Sequence, residues 1–143
     1  MTDFHVSVGE CYTFSKTVSE SDVYLFAGLT GDLAPNHVNE AMMAKTSYGA
    51  RIAHGALLVG FMSTASTHVI GANDAENETA VSLGYDKVRF LAPVYFGDTV
   101  TVTYSIDRID PERRRSEADI KVTNQAGVLV AVARHILKWV PNS

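Results

Sequence analysis

Residues 55–70 read Gly55-Ala56-Leu57-Leu58-Val59-Gly60-Phe61-Met62-Ser63-Thr64-Ala65-Ser66-Thr67-His68-Val69-Ile70, with no Asp, Glu, Lys or Arg. The stretch is apolar on nearly every side of a helix, apart from small hydroxyl residues and His68, and such a helix is normally buried. It is shorter than the ~20 residues a bilayer span needs, so it is read as the central helix of a globular core. Upstream, Tyr12 to Val18 alternates with aromatic and β-branched residues and predicts a strand. Ser19 then offers a helix cap, with Glu20 and Asp22 in the first turn. Val23, Phe26, Ala27 and Thr30 give that helix an apolar stripe, and it stops at Gly31. A short helix is predicted from Asn39 to Thr46, with a turn at Tyr48-Gly49. Downstream, the polar stretch 71–78 reads as a loop. Strands follow over Ala80–Leu91, Thr99–Asp110, Arg114–Thr123 and Val128–Val140, with hairpin-turn composition at Asp110-Pro111-Glu112-Arg113 and Asn124-Gln125-Ala126-Gly127. The order implies an α+β fold in one domain over residues 1–143, an antiparallel β-sheet wrapped around a long central α-helix.

Composition narrows the function classes. The chain has 143 residues, enough for a core without disulfides or metals, and its 46% hydrophobic and 20% charged residues fit a folded protein. A net charge of −4 argues against non-specific nucleic-acid binding, which needs a basic surface. The single cysteine, Cys11, cannot close an intrachain disulfide and fits a reducing compartment. Residues 1–10 carry neither a basic n-region nor an apolar h-region. The expectation is a cytoplasmic protein with no membrane or nucleic-acid partner.

The chemistry concentrates in Thr30-Gly31-Asp32-Leu33-Ala34-Pro35-Asn36-His37. Pro35 argues against a helix running through this segment. A non-helical excursion would leave the Asp32 carboxylate and the His37 imidazole free to converge on one small reactant. Such a pair can hold and polarise water as a general acid/base couple. Equally, Asp32 can cap a turn and His37 the following helix. Gly55 opens the long helix, whose first N–H groups lack partners. Glycine there either admits a ligand oxygen to the amide, as in an oxyanion hole, or only makes a tight helix start. His54 reads as a structural or helix-start residue. Ser63, two turns beyond Gly55 on about the same face, either bonds the backbone four residues earlier or reaches Asp32. Arg113-Arg114-Arg115 is either a solvated turn or a contact to substrate phosphates. No Cys/His spacing suggests zinc, and neither a Gly-rich phosphate loop nor a Gly-x-Ser-x-Gly elbow is present.

Taken together, these segments resemble the MaoC-like, or type 2 (R)-specific, enoyl-CoA hydratases. The family's helix running into Gly-Asp-x-Asn-Pro-(apolar)-His is matched by Tyr24 to His37. Its His-Gly-x-Leu with a later Ser is matched by His54-Gly55-Ala56-Leu57 and Ser63. A third match is Val88 to Thr99. The resemblance runs from about Tyr12 to near the end of the chain and implies a hot-dog fold and a homodimer, with higher assembly open. It also implies Asp32 and His37 as the catalytic pair, Gly55 as the amide polarising a thioester carbonyl, and Ser63 as a supporting residue. Two positions depart: Ala34 stands where the family usually has Asn, and Asn36 replaces an aliphatic residue beside His37. Both bear on substrate choice.

The expected activity is therefore that of a hydro-lyase, the reversible stereospecific hydration of a trans-2-enoyl thioester to a 3-hydroxyacyl thioester. The thioester is expected on coenzyme A, which enters as part of the substrate, with no separate cofactor or metal. A hot-dog acyl-CoA thioesterase and a non-catalytic acyl-thioester binding module are the competing readings.

Overall fold

Strand β1 (Cys11–Thr17) leads through Val18 into Ser19, which caps helix α1 (Glu20–Thr30) in a reciprocal box with Asp22: the Ser19 side chain accepts the Asp22 N–H, and the Asp22 carboxylate accepts the Ser19 N–H. The helix ends where expected, at Gly31, whose φ of 80° is the left-handed conformation glycine adopts freely. The computed structural model describes residues 4–73 and 75–143.

The connection to the long helix departs from expectation. Pro35 does not keep the segment non-helical; it starts the one-turn helix α2 (Pro35–Val38), at the first position, where its missing N–H costs nothing. The predicted helix from Asn39 to Thr46 shrinks to a second single turn, α3 (Glu40–Met43), capped by the Asn39 side chain on the Met42 N–H. Helix α4 (Gly55–Ala72) follows. It runs two residues beyond the predicted end, and the predicted loop 71–78 shortens accordingly, with Asp74 outside the described residues.

The strands β2 (Glu78–Phe90), β3 (Thr99–Asp110), β4 (Arg115–Thr123) and β5 (Leu129–Pro141) join β1 in one antiparallel sheet of order β1-β3-β4-β5-β2. Alternation puts Val100, Val102, Tyr104 and Ile106 of β3 inward, and Ala118, Ile120 and Val122 of β4 beside them. Against that face lie Leu58, Met62, Ala65, Ser66 and Val69 of α4, spaced as one helical stripe. This is the expected hot-dog arrangement, with one correction. In a single chain α4 is buried on one face only, and Ala56, Gly60, Ser63, Thr67 and His68 are exposed. At the edge, β2 bends at two register shifts, one at Gly84 and one next to Lys87, which has φ 53°.

One buried histidine sits in the sheet. His135 on β5 stacks on Tyr85 at 4.4 Å, with Nδ1 2.8 Å from the Tyr104 hydroxyl and Nε2 2.7 Å from Ser82 Oγ. Burial pushes its pKa down to about 4. The unfolded chain takes up this proton near pH 6.5 and the folded chain only near pH 4, so stability is full above the unfolded value. It falls as pH drops through that window, by on the order of 3 kcal/mol. Glu78 acts lower on the scale: hydrogen bonds from Arg114 and His5 hold its carboxyl at about 2, so its contribution is lost between pH 4.5 and 2. Thermal melts are expected to show the parent losing more stability between pH 6.5 and 4.5 than His135→Gln, which cannot titrate; equal losses would contradict this assignment.

Candidate functional site

The end of α1 shapes the first half of the site. Thr30 Oγ1 donates to the Phe26 carbonyl and accepts the Asp32 N–H, at 2.7 and 3.2 Å. Asp32 Oδ1 then accepts the Ala34 N–H at 3.3 Å, folding its side chain back over the turn that starts α2. The carboxylate is half exposed.

His37, buried within α2, is held by residue 52. The Ile52 N–H donates to the Asn36 carbonyl at 2.9 Å, and His37 Nδ1 lies 2.8 Å from the Ile52 carbonyl. A carbonyl only accepts, so Nδ1 carries a proton, and in the neutral ring Nε2 is the free base. The Ala53 N–H, bonded to the Val94 carbonyl at 2.8 Å, fixes the same segment to the strand-like turn before β3. Arg51 braces it from outside, pairing with Glu20 and Glu40 at 3.1 and 3.0 Å and stacking on Phe96.

His54, which its sequence neighbours mark only as a helix start, packs directly against His37 and the Asp32 loop. Its ring lies on His37 with centroids 3.6 Å apart and planes 25° from parallel. Its Nε2 is 3.0 Å from the Asp32 carbonyl oxygen and 4.0 Å from Asp32 Oδ2. The 22-residue gap between Asp32 and His54 hides this contact in the sequence, and the available signal was only adjacency to Gly55. Candidate ligand atoms of Asp32, His37 and His54 lie within 4.8 Å of one another. Near-parallel stacked rings, however, send their in-plane lone pairs past each other, and His54 Nε2 is already committed to a carbonyl. This arrangement suits proton handling better than ligation of one cation.

Gly55 is the first residue of α4, where the amide has no helical acceptor and the dipole favours negative charge. It opens with His37, Asn36, Leu58 and Phe90 on a cavity of about 360 Å³. A Cβ at Gly55 would meet Phe90 Cδ2 at 2.6 Å, so any larger residue here has to displace the Phe90 ring. The cavity therefore joins His37 to Gly55, while Asp32 does not line it.

Ser63 lies elsewhere. Eight residues at 1.5 Å carry it about 12 Å beyond Gly55, it is exposed, and no hydrogen bond joins it to Asp32 among the described residues. Its carbonyl accepts from Ser66 Oγ and Thr67 Oγ1 instead. The arginine cluster is also remote within one chain. Arg114 Nε donates to Glu78 at 2.9 Å, at the opposite end of β2 from Phe90, and the stretch of β5 paired between those ends, Pro141 to Ala131, sets their separation at roughly 33 Å.

The chain is similar to known proteins along most of its length. The profile of the MaoC like domain matches residues 3–128. The (R)-specific enoyl-CoA hydratase of Rhodospirillum rubrum is 40% identical over 109 residues, covering 76% of this chain and 72% of that one. The 3-hydroxybutyryl-CoA dehydratase of Methylorubrum extorquens is 38% identical over 111 residues, with coverage of 78% and 67%. Among solved structures, an (R)-hydratase from A. caviae superposes with a TM-score of 0.83 at 25% identity, covering 93% of this chain and 96% of that one.

Phe90 is 54% exposed, so its ring has solvent rather than core to move into. Gly55→Ala is accordingly expected to fold, with an unfolding midpoint within about 5 °C of the parent, while displacing Phe90 from the cavity. A melt and a structure of the variant check both halves.

Proposed function

This chain belongs to the MaoC-like family, and we propose that it is a hydro-lyase. It adds water reversibly and stereospecifically across the double bond of a trans-2-enoyl thioester carried on coenzyme A, giving a 3-hydroxyacyl thioester. The single observation that carries the reading is that Asp32, His37 and the start of α4 meet at one place, through the bonds of Ile52 and His54. The substrate carbonyl accepts the Gly55 N–H, which makes C3 electrophilic and stabilises the enolate-like charge that develops. Water sits between the Asp32 carboxylate and His37 Nε2. Its oxygen bonds to C3, one of its protons passes to the pair, and the pair delivers a proton to C2. The two groups act as one coupled unit. No metal or further cofactor takes part.

We further assign the working form as a homodimer in the cytoplasm. Three features support the dimer: the open face of α4, the exposed Val81 and Leu83 on the β2 edge, and the unpaired backbone of that 13-residue edge. Ser63 takes its supporting role from the second subunit, because within its own chain it is too far along α4.

Purified protein incubated with a panel of enoyl-CoA thioesters is expected to yield products heavier by one water with the thioester intact, read by mass spectrometry. Asp32→Asn and His37→Ala should each lower kcat by about 10²–10⁴-fold while keeping the assembly. Release of free coenzyme A would instead identify a thioesterase, and binding without turnover a non-catalytic module. Exhaustive chelation should leave the rate unchanged; loss restored by a divalent cation would overturn the metal-free mechanism.

A further inference from the structure

We propose that His54 is a positioning residue for this reaction, holding Asp32 through its backbone carbonyl and His37 through its ring. The role rests on the hydratase reading above. His54 occupies the cap position of α4 yet makes no side-chain cap bond, although that is what side chains at this position usually supply. Its ring turns instead toward the loop after α1. There the Asp32 carbonyl can only accept, so Nε2 bears the proton. This leaves Nδ1 buried without a partner among the described residues, while the residue as a whole is 2% exposed.

Those facts separate what a histidine does here from what filling the space would do. A phenylalanine would occupy the slot between His37 and Phe26, whose rings lie 3.6 and 4.7 Å away, without an unpaired buried nitrogen. Only a side chain with a donor at the Nε2 position ties Asp32 to α4. That tie matters because the carboxylate is otherwise held, among the described residues, by one 3.3 Å bond from the Ala34 N–H. His54 and Gly55 are adjacent, so the bond refers the carboxylate to the same backbone point that presents the Gly55 amide. The stacked ring does the same for His37. Carboxylate, imidazole and amide thereby share one reference frame, and displacements of about 1 Å in such a frame can lower turnover about a hundredfold.

The test compares three variants on whichever enoyl-CoA the parent hydrates, with Asp32→Asn alongside. His54→Phe keeps the stack and loses the donor. His54→Asn loses both, being too short to reach the carbonyl, but is among the best helix caps. His54→Gln brings an amide N–H to the Nε2 position. Expected are a kcat about 10²-fold below the parent for Phe and Asn, KM within about threefold, and recovery of at least about tenfold by Gln. His54→Phe and His54→Gln should melt within a few degrees of each other while differing at least about tenfold in kcat, a split between stability and turnover that a purely structural role would not produce. A parent that hydrates no thioester would overturn the hydratase reading and this role with it. An active parent with near-parental kcat in folded His54→Asn overturns the role of His54 alone, as does a Gln variant no better than Asn.

Discussion

Seating one stripe of α4 in the concave sheet is the constraint from which the rest of the site follows. Leu58, Met62, Ala65 and Val69 face Val100, Val102, Ile120 and Val122 within one buried cluster, and burying each of these side chains other than that of Ala65 is worth about 1.5–3 kcal/mol. With that face committed, the start of α4 has one direction. It points at the rim of the sheet, where Phe90 ends β2 and Val94 crosses toward β3. The partial positive charge of a helix start is thus delivered to the mouth of a cavity rather than to open solvent.

The two single-turn helices make sense only against that rim. A helix of four residues has no stability of its own, since nucleation is the costly step. Here Ile52 supplies what is missing, pairing on one side with Asn36 and His37, while its neighbour Ala53 pairs with Val94. Residues 52 and 53 act as a short rail between α2 and the sheet, and His54 and Gly55 are the next residues along it. Asp32 and His37, well separated from this rail in sequence, are therefore held by neighbouring positions along it. The tie is made with hydrogen bonds to main-chain carbonyls, which substitutions elsewhere leave in place.

Much of this was legible in the sequence because it is written in local periodicity and caps. Ser19 and Gly31 bracket α1 as their chemistry dictates, and alternation marked β3 and β4 almost to the residue. What misled was context. Pro35 excludes a helix passing through it but not one starting at it. The uniform apolarity of α4 says that both faces avoid water without saying that a single chain covers only one of them. The sheet order, with β2 carried to the far edge beside β5, depends on pairings between residues more than forty positions apart. His54 reads as a structural residue for the same reason, since nothing within a few residues of it reveals Asp32 and His37 as neighbours.

The departures at Ala34 and Asn36 can be weighed by asking which atoms the geometry uses. At residue 34 it uses the backbone N–H, which bonds Asp32 Oδ1; any non-proline residue provides that donor. Replacing an asparagine by Ala34 therefore removes a side-chain amide beside the carboxylate but leaves the turn that orients it. At residue 36 the geometry uses the backbone carbonyl, which receives Ile52, so the rail is again indifferent to the side chain. The Asn36 side chain, by contrast, lines the cavity with His37 and Gly55, where a polar amide replaces an aliphatic wall. Half-buried there, the amide adds one donor group and one acceptor to the cavity wall that an aliphatic side chain would not offer. The same two substitutions thus leave the placement of Asp32 and His37 intact and change the chemistry of the surface beside them.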